Sequence, residues 1–459
     1  MENEADNNQV KSIDMENMKI SKLAWKISLP MIISMISIAL YGIIDTIFVS
    51  KTGKNALTAI VLVYPIQNII TAIALGLGTG INSLLSRTRG EKNNEKCKKI
   101  VVNGIKLTFL SWIITAIISY IISNKIFYFF TNNKEIVDLG SIYFRIIGVF
   151  SIGTFFQITT ERILESYGKT KDSMLIQISG AVINLILDPI LIFGINGSRG
   201  LGIKGAAIAT IIGQCTGMIY GTYLIIRKYN MIKTKHILEI KFDNIIIKEI
   251  YKVGFPTTLL EIATSMITFI LNKILISINN YAVDVWGIYG RIQKFVLITI
   301  YGLNYGMIPI VGYNIGAKKI NRVKETIKYF LKASIIITLV GTLIFIVFPK
   351  TLLGWFTNSD ETIKLGIKAF RILAFGLVFG GISLVISATF QSFGEGNYSL
   401  IVNLCRKIFI SLPIIYIFKG IFGVTVVWYA TVIAEIIATI VAIILIKKIF
   451  NKYELDNKF

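Results

Sequence analysis

The fold class predicted by this 459-residue sequence is an all-α membrane protein with twelve transmembrane helices in two six-helix lobes, related by a parallel internal repeat. Three observations carry that expectation. Hydrophobic residues make up 54% of the chain and charged ones 16%, with a mean hydropathy of +0.68. Apolar runs of about 20 residues, the length that crosses a bilayer as a helix, alternate with short basic loops. The second half of the chain also repeats the first.

The runs place spans at 24–50, 56–86, 100–123, 136–160, 172–194, 204–226, 251–277, 282–312, 327–349, 362–388, 397–418 and 424–446. Spans two and eight are longer than a bilayer needs, so tilt or extension beyond the lipid is expected. Basic residues cluster on one side of these spans: Arg87, Arg89, Lys92, Lys96, Lys98 and Lys99; Arg227, Lys228, Lys233, Lys235, Lys241, Lys248 and Lys252; Lys318, Lys319, Arg322, Lys324 and Lys328. The other side has only scattered cations such as Lys51, Lys54, Arg199 and Lys419. The positive-inside rule then puts both termini in the cytoplasm of a multi-pass cell-membrane protein. The organisation expected is a cytoplasmic segment 1–23, an N-lobe 24–226, a cytoplasmic linker 227–250, a C-lobe 251–446 and a tail 447–459. The first twenty residues are polar and acidic, so no cleavable signal peptide is expected and span one serves as its own insertion signal.

A shift of 226 residues aligns the halves without a gap over roughly 140 positions. Pro30 meets Pro256, Ile66-Gln67 meets Ile292-Gln293, and Gly76-Leu77 meets Gly302-Leu303. Gly80 meets Gly306, and Gly90 and Lys92 meet Gly316 and Lys318. Phe130-Thr131-Asn132 meets Phe356-Thr357-Asn358, and Phe144-Arg145-Ile146 meets Phe370-Arg371-Ile372. An even number of spans per copy makes both enter from the same face, with an axis along the membrane normal, and a cavity between two such lobes suits alternating access.

The formal charge of +22 reads as topology signal and contact with anionic membrane lipids rather than nucleic-acid binding, because the cations sit between apolar runs. Cys97, Cys215 and Cys405 have no paired spacing, which argues against a disulfide framework or thiolate metal site. The single histidine, His236, lies in a basic loop, so no histidine-based chemistry or cofactor is expected.

Ionisable and polar residues inside spans are the candidates for function, because each costs about 2.5–3.5 kcal/mol to insert at the helix centre. Lys106, Arg162, Lys273 and Lys419 near span ends fit pairing or snorkelling, and Arg145 and Arg371 fit a structural role in each lobe. Span one is different: Ser34, Ser37, Tyr41 and Asp45 share one helical face. Span five carries Gln177, Asn184 and Asp188, followed by Pro189, which cannot donate to the Leu185 carbonyl. Span six presents Ala206, Thr210, Gly213 and Gly217, a small-residue face. Counted from the span ends, Asp45, Asp188 and Thr210 lie at one depth, roughly 8–9 Å below the surface. Two carboxylates, the Asn184 amide and the Thr210 hydroxyl make an oxygen-rich set that suits either Na⁺ or a proton.

The second copy has Leu271 and Ile414 where the first has Asp45 and Asp188. It offers instead Glu261, Ser265, Thr268 and Asn272 on span seven and Ser383, Ser387 and Gln391 on span ten. Glu261 could attract a cation, hold a second proton, or pair with Arg291 or Lys294 of span eight. With Ser37, Tyr41, Gln67, Gln177 and Gln293, residues Glu261, Ser265, Ser383 and Ser387 make up the expected substrate cavity; Pro30, Pro189 and Pro256 are the expected hinges. Tyr41, Tyr64, Tyr289 and Tyr301 could hold flat cations, although packing is the simpler role for each.

These residues resemble a known family. Pro30 with Leu40-Tyr41-Gly42-Ile43-Ile44-Asp45-Thr46-Ile47-Phe48-Val49 is similar to the first span of multidrug and toxic compound extrusion (MATE) antiporters. Asn184-Leu185-Ile186-Leu187-Asp188-Pro189 resembles their fifth span, and Gly205-Ala206-Ala207-Ile208-Ala209-Thr210 the start of their sixth. The resemblance implies a non-enzymatic exporter of small lipophilic, often cationic compounds in exchange for Na⁺ or H⁺, working as a monomer. It also implies an N-lobe ion site at Asp45, Asn184, Asp188 and Thr210. Some branches carry an acid in span ten, which this chain lacks. Two alternatives are a flippase for lipid-linked oligosaccharide, which would favour more spans and a cationic cavity, and a membrane scaffold or enzyme, for which no nucleophile or histidine cluster is visible.

Overall fold

The structure is a computed structural model and describes residues 13–194, 200–233 and 239–453. Arg199, Lys235 and His236, read above as loop residues, lie outside them. Every regular element among the described residues is helical. Eleven helices are long and apolar enough to cross a membrane, and a bent pair makes the twelfth span. Spans one to three are Ile20–Ser50, Lys54–Gly90 and Asn94–Phe130. Span five is Thr170–Phe193, and span six runs from Ile203 through a π turn at Leu224–Lys228. Spans seven to ten are Asn244–Ile278, Asn280–Gly316, Ile320–Val347 and Asp360–Ser392. Span eleven runs from Gly396 to Phe422 with a π turn at Cys405–Phe409, and span twelve is Thr425–Lys452.

The helices overrun the apolar runs because polar caps set their ends. The side chain of Asn93 accepts from Lys96 N before span three, Asp243 from Ile245 N before span seven, and Ser359 from Thr362 N before span ten. Span four departs most from expectation. Instead of one run over 136–160 it bends by 45° between Lys134–Val149 and Ile152–Ser166. Carbonyls freed at the bend find partners: Trp112 Nε1 donates to Val149 O at 3.1 Å, and Ser151 Oγ to Gly148 O at 2.8 Å. The continuation carries Glu161, Arg162 and Glu165 into the interior, where all three are buried.

The repeat is visible in the backbone. Spans two and eight have 37 residues each and their bounds differ by 226 throughout. Lys92 and Lys318, equivalent by the same shift, take φ of 58° and 56°, a left-handed turn that side chains seldom adopt. Each lobe buries its own apolar clusters, one around Phe127, Phe144 and Phe155 and another around Tyr289, Phe345 and Phe370.

Spans one and seven belong to both lobes. The first turns of span one, with Leu23, Ala24 and Ile27, join a C-lobe cluster, whereas its later half lies along span five. Span seven packs on span two in the same way. Glycines let these helices touch: a Cβ on Gly254 would stand 2.8 Å from Gly76 O, and one on Gly90 or Gly316 would collide with the carbonyl of Tyr313 or Arg87. Ser83 and Arg87 of span two donate to the carbonyls of Gln391 and Ser392. These contacts all lie in the half of the molecule nearer the basic loops, so the lobes are joined there.

Candidate ion site and interlobe cavity

Spans one, four, five and six converge on a polar cluster inside the N-lobe. Asp45 lies five residues before the end of span one at Ser50, and Asp188 five before the end of span five at Phe193. Their carboxyl groups interact directly. Asn184, Asp188 and Thr210 are buried, and Asp188 has no exposed surface. Asn184 Nδ2 donates to Thr210 Oγ1 at 3.4 Å, and the threonine hydroxyl in turn donates to Ala206 O at 3.0 Å. The small-residue face of span six makes this possible, since Gly213 lies against Gly180 and Asn184 and Gly217 against Gln157. Four oxygens are left without a hydrogen-bond partner: Asp45 Oδ1, Asn184 Oδ1, Asp188 Oδ1 and Asp188 Oδ2. Buried oxygens are rarely left so, and converging ones suit a cation or a proton. Among the described residues no group of three or more His, Cys, Asp or Glu side chains could hold a metal ion, so a cation here would rest on two carboxylates and neutral oxygens. Tyr41 and Tyr143 stand within electrostatic reach of Asp45, Asp188 and Thr210. Tyr143, absent from the sequence-based expectation, comes from the broken span four.

A second network lies deeper. Gln157 Nε2 donates to Glu161 Oε1 and to Gln177 Oε1, both at 3.1 Å. Arg162, read from sequence as a span-end residue, is buried and pairs with Glu165 at 2.7 Å. Its guanidinium also stacks 3.8 Å from the Tyr305 ring of the C-lobe. Arg145 bonds Ser123 and Asn124 within the N-lobe, and Lys106 donates to Ile240 O.

On the C-lobe side of the lobe boundary a cavity of about 110 Å³ opens among spans seven, eight, ten and eleven, with Leu75 and Thr79 of span two closing it from the N-lobe. Of the expected cavity residues, Glu261 and Ser387 line it. Ser383 reaches it as a partner of Arg406 at 3.4 Å, and Asn403 Nδ2 donates to Ser387 Oγ at 3.2 Å. Tyr41 and Gln177 belong to the N-lobe clusters above. Ser37 donates to Ile33 O of its own helix; Gln67, Ser265 and Gln293 are half-buried and outside that lining. The neighbour of Glu261 is Lys407 of span eleven, not Arg291 or Lys294 of span eight. Arg406 and Lys407 are absent from the sequence-based expectation, although two consecutive cations within an apolar run were legible. Pro30, Pro189 and Pro256 all lie inside helices, and Tyr289 packs in the C-lobe core beside Phe345 and Phe370.

Two six-span lobes joined at one end around buried polar sites define a multi-pass membrane protein of the transporter class. The chain belongs to the MatE family, whose model matches residues 30–190 and again 256–417. It is 25% identical over 443 residues to the multidrug export protein MepA of Staphylococcus saprophyticus, covering 96% of this chain and 97% of that one. It is 27% identical over 400 residues to an FAD transporter of Shewanella oneidensis, covering 86% and 87%. A solved MOP superfamily transporter from Pyrococcus furiosus superposes with a TM-score of 0.90 at 26% identity, covering 97% and 99%.

Proposed function

We propose that this chain is a secondary multidrug efflux antiporter, exporting small lipophilic, often cationic compounds in exchange for Na⁺ or H⁺. The observation that carries the reading is the set of four unpartnered oxygens on Asp45, Asn184 and Asp188. They are acceptors only, and a cation or proton supplies what they lack. The likeness to a multidrug export protein over nearly the whole chain supports the substrate class. The lipid-linked oligosaccharide alternative has no counterpart among the relatives named above.

The positive-inside rule supports a cytoplasmic joined end and cytoplasmic termini, with the N-lobe taken as 24–226 and the C-lobe as 251–446. In this arrangement the lobes are closed toward the cytoplasm. The coupling ion enters from outside and settles between Asp45 and Asp188, neutralising two facing carboxylates. Span one then rearranges about Pro30, whose ring removes one hydrogen bond from the helix. Span one is held by both lobes, so its rearrangement acts on the interlobe contacts and drives substrate out. The lobes rock, the ion leaves to the cytoplasm, and a new substrate loads. Pro256 and Pro189 give spans seven and five the same local freedom. Ion gradients supply the energy.

The test is dye efflux from liposomes containing the purified protein under an imposed Na⁺ or pH gradient. The reading expects efflux that follows one gradient and is lost in Asp45→Asn and Asp188→Asn. Efflux at the unsubstituted rate in both variants would overturn the assignment.

A further inference from the structure

The C-lobe cavity gathers polar atoms that lack partners. Asn304 Oδ1, Ser399 Oγ and Arg406 Nε are buried without a hydrogen bond, and all three residues line the cavity. Glu435 Oε2, behind Arg406, is also unpartnered. Arg406 is only 9% exposed. Its Nε lies 3.5 Å from Glu435 Oε1, too far for a hydrogen bond of full strength. Beside it, Lys407 Nζ reaches across to span seven and donates to the neutral Thr264 Oγ1 at 2.8 Å. Both cations stand in the π turn Cys405–Phe409, where the extra residue displaces the helix face, a feature that recurs at functional sites.

The scaffold does not require these charges. By the 226-residue shift, Arg406 corresponds to Gly180, Lys407 to Ala181 and Glu261 to Met35; before spans six and twelve the left-handed Gly202 and Gly423 set a shift of 221, which pairs Glu435 with Gln214. In the N-lobe Gly180 simply packs against Gly213. The same fold is therefore built from small, apolar or neutral residues in one copy and from four ionisable ones in the other. Structural pairing would leave these groups satisfied, and here several donors and acceptors are unspent.

We infer that this cavity binds an organic solute bearing a carboxylate or phosphate oxyanion, seated on Lys407 Nζ beside the Arg406 guanidinium, with a donor group of the same molecule facing Glu261 and Asn304 Oδ1. The donors on span eleven and Ser399 match an oxyanion, and Glu261 and Asn304 Oδ1 accept from an ammonium or hydroxyl. The inference rests on the exporter reading and deepens it: the exported compound carries an acidic as well as a basic or hydroxylic group.

The experiment compares two dyes of one chromophore, rhodamine 110 with its free carboxylic acid and rhodamine 123 with that acid as a methyl ester. Binding to the purified full chain in detergent is followed by fluorescence anisotropy. The acid is expected to bind about tenfold more tightly than the ester, the scale of one charge-assisted hydrogen bond. Lys407→Gln should bring the ratio to about one, and Lys407→Arg should restore most of it. Equal binding of the two dyes by the unsubstituted chain overturns the inference, and so does a preference that survives Lys407→Gln in protein that melts normally. A repeat in phosphatidylcholine nanodiscs, with and without phosphatidylglycerol, separates solute from lipid headgroup: a preference abolished by phosphatidylglycerol assigns the site to lipid and overturns the solute. Binding in detergent needs no gradient. A flat preference with gradient-driven efflux intact removes only this site, and a preserved preference without efflux removes only the antiport reading.

Discussion

Replacing Asp188 by asparagine should separate function from stability, because the N-lobe site holds two carboxylates together. Asp188 has no exposed surface, neither of its oxygens has a hydrogen-bond partner, and it interacts directly with Asp45. Two such charges about 4 Å apart repel by about 4 kcal/mol at an effective dielectric of about 20. Asparagine keeps the shape and removes one charge, so that repulsion disappears whenever no ion or proton occupies the pair. The variant should melt at least about 1 °C higher than the unsubstituted chain in Na⁺-free detergent at alkaline pH, because relief of about 1 kcal/mol is worth about that much at about 2.1 cal/mol/K of unfolding entropy per residue in a chain this long. The ion loses a charged ligand worth about 1.5–3 kcal/mol, so the gradient needed for half-maximal dye efflux should rise by about 10- to 150-fold. Thermal unfolding and efflux from liposomes read the two effects on one preparation. A variant that melts lower and exports at the original rate would refute the reasoning on both counts.

Three other outcomes follow from the contacts. Arg162→Ala leaves Glu165 buried and unpaired and removes the stack on Tyr305, so unfolding in detergent should show a loss of about 3–5 kcal/mol, part of which Glu165→Gln restores; an unchanged melt would contradict it. Gly90→Ala forces a methyl into the carbonyl of Tyr313, and overpacking of about 1–3 kcal/mol should move the closed-to-open balance by about 5- to 150-fold. That shift is read as faster thiol labelling of Ala317→Cys, with the three native cysteines replaced by serine, and a labelling rate equal to that of the Gly90 chain would count against the tight interface. Burial alone would raise the pKa of Glu395, in the loop between spans ten and eleven, but Lys452 at 2.8 Å and Lys252 at 3.4 Å hold it below its ordinary 4.5. Its stabilising contribution is therefore present above the ordinary carboxylate value and lost as pH falls through the lowered one. Melting curves should drop less steeply below about pH 4.5 in Glu395→Gln than in the parent, and parallel curves would remove Glu395 as a contributor.

The fold was legible because its signals are long and redundant. Apolar runs, loop charge and the 226-residue register each point to twelve spans in two lobes, and the backbone repeats the register down to the left-handed turns at Lys92 and Lys318. The break in span four was not legible. No proline or glycine pair marks Phe150 and Ser151, and the bend depends on Trp112 from another span taking up the Val149 carbonyl. The cluster of Asp45, Asn184, Asp188 and Thr210 could be read from helical periodicity and depth, since all four sit on regular helices. Tyr143 could not, because its approach to Thr210 depends on how the broken span packs on span six. Glu261 is visible as an intramembrane acid, but the sequence points to partners on the adjacent span eight. The π turn of span eleven supplies Lys407 instead, and helical counting on a regular period does not anticipate that shift.

The two lobes thus share a scaffold and divide the chemistry. Glycines, prolines and turns recur at equivalent positions because both copies must cross at spans one and seven with backbones nearly touching. Charges need not recur, and a functional division favours that they do not. Asp45 lies beyond Pro30, on the half of span one that packs within the N-lobe, whereas the half before Pro30 is embedded in the C-lobe cluster with Leu303 and Met307. An ion bound at Asp45 thus acts on a helix whose other end is fixed in the opposite lobe. The C-lobe cavity meets the same boundary from the other side, because Tyr305 both lines it and carries the stacked guanidinium of Arg162. A solute touching Tyr305 and an ion touching Asp45 would therefore bias one interface from its two sides. That is the thermodynamic requirement for exchange: each ligand must bind the two arrangements of the lobes with different affinity.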